Sequence, residues 1–198
     1  MLVAVLAVLA AVLVATLCGG SLERLGSLPL RSPWLVWAAF AAQLVGTILG
    51  GPIFAVGLVL SAALAVGWLV RNRGIRGTGL VSLGLLANAV VVSANGAMPV
   101  SVDAAGRAGV TTQALVADRD PRHELMTDST RVRWLGDVIP VPLPVRPEVI
   151  SPGDVAVAAG LAQLVLLGML PAGARHRARR RSTPSVDVRL DSPPENQP

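Results

Sequence analysis

Apolar residues in this chain come in long unbroken blocks, separated by short polar connections and by one long polar segment. The hydrocarbon of a bilayer is about 30 Å thick and takes roughly 20 mostly apolar residues per helix. Five blocks approach that length, at about 2–18, 33–49, 53–70, 78–94 and 155–170. The first contains neither charge nor proline. The second opens on Ser32-Pro33-Trp34, which offers a cap residue, a proline suited to the first helical position and, with Trp37, aromatics suited to an interface. Gly50-Gly51-Pro52 alone joins the second and third blocks, which predicts an antiparallel hairpin. The last two flank the polar segment at 95–153. The pattern predicts an all-α integral membrane protein: five transmembrane helices within residues 1–172, a long extracytoplasmic loop between spans 4 and 5, and a tail at 173–198.

Composition agrees. Hydrophobic residues make up 53% of 198 positions, charged residues 15%, and the mean hydropathy is +0.62, more apolar surface than a soluble fold of this size can cover. Arginine placement then sets an orientation. Arg71, Arg73 and Arg76 occupy one short connection without an acid, Gly50 to Pro52 has no charge, and Arg175, Arg177, Arg179, Arg180 and Arg181 follow the last block. Cytoplasmic connections are enriched in Lys and Arg, so 19–32, 71–76 and the C-terminus are expected inside, with the N-terminus and the 95–153 loop outside. The expected location is a bacterial cell membrane. The Arg175–Arg181 run is expected to meet anionic lipid head groups rather than nucleic acid, and residues 182–198, rich in Ser, Pro and Asp, are expected to be disordered.

Within the blocks no ionisable side chain sits mid-span, which argues against a proton relay or a charged ion path; no internal repeat favours a transporter. Gln43, Asn88 and Gln163 are the polar exceptions, with Asn88 and Asn95 on one helical face. Gly46 with Gly50, Ala63 with Gly67, and Ala156 with Gly160 have the spacing of close-packing faces. Met1 to Ala4 lack the basic start of a secretory signal, so the first block is expected to be retained. Leu17 before Cys18 departs from a lipoprotein signal, leaving Cys18 as a buried thiol unable to form an internal disulfide.

Any chemistry is expected in the loop. Eight of the twelve acids fall between Asn95 and Asp154. Residues 102–120 predict a short helix or irregular surface chain, and Val138 to Pro144, with three prolines, excludes regular helix. Asn95-Gly96-Ala97-Met98-Pro99-Val100, Trp134-Leu135-Gly136-Asp137-Val138-Ile139-Pro140 and Ser151-Pro152-Gly153-Asp154-Val155, with Gly19-Gly20-Ser21-Leu22 upstream, resemble an uncharacterised family of bacterial multi-pass membrane proteins, domain-of-unknown-function family 5317. The resemblance covers roughly residues 1–172 and implies no activity. The lysine-free, Ala/Val-rich composition resembles actinobacterial members.

The layout of Asp137 and Asp154, the latter opening the last helix, is also distantly similar to the aspartyl lipoprotein signal peptidase family, which would imply two acids sharing a proton to activate water. The motif spacing around Asp137 differs from that family, Gly153 replaces the small residue before the second acid, and no Asp-Gln-x-x-Lys element follows the first span. Ser151-Pro152-Gly153-Asp154 equally satisfies a helix-capping start, and Gly136-Asp137 a turn. His123 with Glu124 falls short of a metal site and is expected to be a surface pair near Arg131 or Arg133. The favoured function is a binding or interaction module with no metal or cofactor, its outer vestibule lined by Asn95, Asp137 and Asp154, with His123 and Arg133 as further binding candidates. The alternative is an aspartyl membrane hydrolase using Asp137 and Asp154.

Overall fold

A computed structural model describes residues 2–110 and 122–171, and within them every apolar block is helical. The long helices are α1 (Leu2–Leu17), α3 (Trp34–Leu49), α4 (Gly51–Arg71), α5 (Thr78–Asn95) and α7 (Pro152–Met169), with α2 (Leu22–Gly26) and α6 (Val102–Ala108) as short connectors. Part of the polar loop (111–121), the Arg175–Arg181 run and the tail after it lie outside the described residues.

Helix lengths separate the five expected spans into two groups. α4, α5 and α7, at 21, 18 and 18 residues, are long and apolar enough to cross a membrane, whereas α1 and α3 are equally apolar but have 16 residues each. At 1.5 Å per residue these two reach about 24 Å, short of a full hydrocarbon core. Backbone turns set their limits. Gly19 adopts φ +77 just beyond α1, while Ser32 at φ +52 and Gly50 at φ +64 bracket α3. Ser32 is therefore not the side-chain cap its position predicted: Pro33 occupies the cap, and Ser32 Oγ instead accepts from Arg71 Nη1 at 3.1 Å.

Adjacent helices pack α3 on α4, α4 on α5, α5 on α7 and α7 on α1. Two contacts are built on glycine. A Cβ at Gly57 would lie 2.8 Å from Gly46 Cα, and one at Gly160 would lie 2.6 Å from the Val81 amide nitrogen, so only glycine lets these backbones approach. Gly46 and Gly160 are thus close-packing positions, as their spacing predicts. Gly50 and Gly67 are not, since among the described residues nothing stands within 4 Å of either Cβ position. Elsewhere the helices present large apolar side chains outward, including Leu17 at 78% and Trp37 at 73% exposure, a surface suited to lipid. Cys18, expected to be buried, is exposed.

The all-α expectation needs correction in the polar segment, which folds as a small mixed cap. β1 (Met98–Val100) pairs in parallel with β2 (His123–Leu125), and β3 (Ile139–Val141) pairs antiparallel with β4 (Glu148–Ile150). Strands of three residues are too short to generate a readable period-two pattern. The proline-rich ribbon 138–144 supplies β3, with Pro140 opposite Val149. Beneath the cap, buried Val91, Val92 and Met98 pack with Leu58 and Leu135.

Candidate functional site

One side chain, Asn95, adds hydrogen bonds to the apolar contact between the cap and the end of α5. Asn95 Nδ2 donates to the carbonyls of Val91 (2.9 Å) and Arg131 (3.0 Å), and its Oδ1 accepts from the Arg131 amide at 2.8 Å. With both amide hydrogens and its oxygen engaged, Asn95 is a strut between helix and cap. Gly96, at φ +93, then turns the chain into β1.

β1 brings the two central side chains together. Along one edge Met98 stands opposite His123. Along the other, Val100 bridges Asp137, whose amide donates to Pro99 O at 2.8 Å while its carbonyl accepts from the Ser101 amide at 2.9 Å. His123 Nε2 consequently lies 3.8 Å from Asp137 Oδ2, with the imidazole side chain 40% exposed. His123 therefore faces Asp137. Gly136 serves this approach by its size: its φ of −72 is ordinary, but a Cβ there would lie 2.6 Å from Pro99 O.

Asp137 is the most unusual group in the cap. It is only 4% exposed, and its Oδ1 is buried with no hydrogen-bond partner among the described residues. Burial pushes its pKa up, the nearby charge of Asp154 pushes it further, and it reaches about 8. Asp137 is therefore largely a neutral carboxylic acid at pH 7, able to donate as well as accept.

Asp154 does different work. Its Oδ2 accepts from the Ser151 amide at 3.2 Å, and Ser151 Oγ accepts from the Asp154 amide at 2.9 Å, which together form the capping box at the start of α7. Its Oδ1 accepts from Asn88 Nδ2 at 2.8 Å, and Ser151 Oγ donates to Asn88 Oδ1 at 2.9 Å. A Cβ at Gly153 would collide with the Asn88 amide, so glycine there admits α5 to the network. Asp137 and Asp154 interact through space, and among the described residues no hydrogen bond joins them. Arg133 lies exposed in a 3-10 turn (Arg133–Leu135) and joins no ion pair among the described residues. Nor, among the described residues, do three His, Cys, Asp or Glu side chains gather in a metal-binding group.

Two positions went unmarked in the sequence. Glu148 accepts from the amides of Leu2 (2.9 Å) and Val3 (3.4 Å), capping α1 from β4. Burial raises its pKa, but these hydrogen bonds outweigh that effect and hold it below the ordinary value. At the opposite end of the bundle Asn72, 4% exposed, receives the Arg31 amide on Oδ1 at 2.8 Å and donates from Nδ2 to the carbonyls of Arg31 (3.0 Å) and Trp68 (2.8 Å). Asn72 beside α4 has the sequence signal of a helix end, but its partner Arg31 has none.

Residues 27–166, more than half of the chain, match a family described as "Family of unknown function (DUF5317)". No curated protein and no solved structure matches the chain.

Proposed function

The chain belongs to DUF5317, a family of unknown function, and from there we propose that it is a bacterial cell-membrane protein that crosses the bilayer five times. Its cap stands outside as a binding or interaction module, and its C-terminus is cytoplasmic. Glu148 ties the start of α1 to the cap end, while Arg31 and Asn72 join at the other end. This alternation supports the orientation argued from the arginines. Bilayer thinning accommodates the short α1 and α3.

The observation that carries the binding reading is the Asp137 carboxyl, buried, with Oδ1 unpartnered, behind a half-exposed His123. Buried polar atoms are rarely left unsatisfied in folded proteins, and a ligand or partner donor entering past His123 would satisfy this one. The aspartyl hydrolase reading draws on the charge coupling between Asp137 and Asp154. It is the weaker reading because both oxygens of Asp154 are engaged in the helix start and with Asn88.

Single cysteines placed at exposed Ser27 and Asp128 in a Cys18→Ser background test the topology in intact cells. A membrane-impermeant maleimide should label the Asp128 position and spare the Ser27 position; the reverse pattern would refute the orientation. A photo-crosslinker on the Asp128 cysteine then tests the module. The expected adduct is lost on His123→Ala and Asp137→Ala, and adducts indifferent to both changes would count against the site.

A further inference from the structure

The end of the bundle opposite the cap holds a second feature, independent of Asp137. A groove of about 960 Å³ lies between the 28–31 segment, the 71–76 turn and the last turns of α7. Arg31, Arg71, Arg73 and Arg76 line it, while Leu28, Ile75, Leu164 and Leu167 supply apolar wall. No acid is among its described lining residues. Arg71 donates to Ser32 Oγ at 3.1 Å, and among the described residues none of the four arginines joins an ion pair.

The arrangement is fixed rather than fortuitous. Asn72 exchanges two hydrogen bonds with the backbone of Arg31, so arginines from distant parts of the chain are held around one opening. Like charges gathered without counter-ions repel one another, and an anion relieves that repulsion. Positive-inside topology asks only for arginines near the membrane. It does not ask for a concave site, a buried clamp between two arginine segments, or an apolar wall continuing along α7.

We infer that this groove binds a phosphate-bearing amphiphile: the guanidinium groups take the phosphate of an anionic lipid, and its chain lies along Leu164 and Leu167. Guanidinium presents paired donors that match phosphate oxygens. This assignment rests on the membrane reading above, which sets the groove at the level of the head groups. It differs from any lipid contact of the Arg175–Arg181 run, which needs no pocket.

The test reconstitutes the full chain in nanodiscs of equimolar phosphatidylglycerol and phosphatidylcholine and measures retained lipid by native mass spectrometry. Wild type should retain phosphatidylglycerol selectively. Arg31→Gln/Arg73→Gln/Arg76→Gln should lose about tenfold or more of that selectivity, whereas Arg175→Gln/Arg177→Gln/Arg179→Gln should keep most of it. Independently of any variant, hydrogen exchange at the 72–76 amides of wild type should slow in phosphatidylglycerol relative to phosphatidylcholine. Selectivity that follows the tail substitutions instead, or unchanged exchange at 72–76, would overturn the proposal. Displacement by millimolar inorganic phosphate would replace the lipid with a soluble phosphate ligand and equally overturn it. A chain that incorporates without lipid preference removes the groove assignment alone; one that fails to enter nanodiscs removes the membrane reading beneath it.

Discussion

Asp137→Asn should flatten the pH dependence of cap stability. In the folded protein the Asp137 carboxyl keeps its proton up to about pH 8, against an ordinary value of 3.8. Between those values the folded state binds a proton that the unfolded state does not, so stability falls as pH rises, by about 1.4 kcal/mol per pH unit. The protonated group's contribution is fully present below the ordinary value and lost as pH climbs through about 8. Across the window the loss sums to roughly 6 kcal/mol, comparable to the whole stability of a small domain. The amide of asparagine occupies the same site without titrating.

Hydrogen exchange can follow the change locally, because the Asp137, Ser101 and Met126 amides donate to Pro99 O, Asp137 O and Val100 O within the cap. Opening free energies, corrected for intrinsic exchange, should decline from about pH 5 to about pH 8 in wild type and stay level in the variant. Parallel slopes in the two proteins, or wild-type protection that increases with pH, would refute the burial argument.

Gly160→Ala should destabilise the α5–α7 contact by about 1–3 kcal/mol, since its new methyl would meet the backbone of Val81 and Gly77. Gly67→Ala, with open space at its Cβ, should be neutral or stabilising by up to about 1 kcal/mol. Thermal unfolding in one detergent compares the pair, and equal losses would discard the close-contact argument. Glu148→Gln should weaken the start of α1 at neutral pH and remove a dependence that wild type shows on acidification. With a folded pKa below 4.5, the Glu148 contribution is present above that value and disappears as pH falls through the lower folded value. Exchange at the Leu2 and Val3 amides reads it, and identical acid profiles would exclude the cap role.

Much of the architecture was legible because the relevant signals are local. A block of apolar residues declares a lipid-facing or buried helix by length and composition alone, and all five blocks are helices. Ser151-Pro152-Gly153-Asp154 declares its capping box because the interacting groups sit three residues apart. Gly46 and Gly160 were visible as close-packing positions, although spacing did not separate them from Gly67, which meets nothing. Even helix ends were less certain: Ser32 looked like a cap, but its backbone turned to positive φ and its hydroxyl went to Arg71.

The site was legible as a set of residues but not as a geometry. His123, Asp137, Asp154 and Asn95 were all visible candidates, yet their roles divided only when the chain closed on itself. Asn95 and Asp154 spend their hydrogen bonds on structure, whereas Asp137 is left with an unpartnered oxygen beside His123. That pairing depends on two strand edges meeting at β1, the clamp on α1 depends on Glu148 reaching Leu2, and the arginine groove depends on Asn72 reaching Arg31. A polar side chain carries its donors and acceptors in its own covalent structure, so its presence is written locally. Which donor it meets, and whether water still reaches it, follows from register and burial set by distant segments, and these exist only once the helices and the cap have packed.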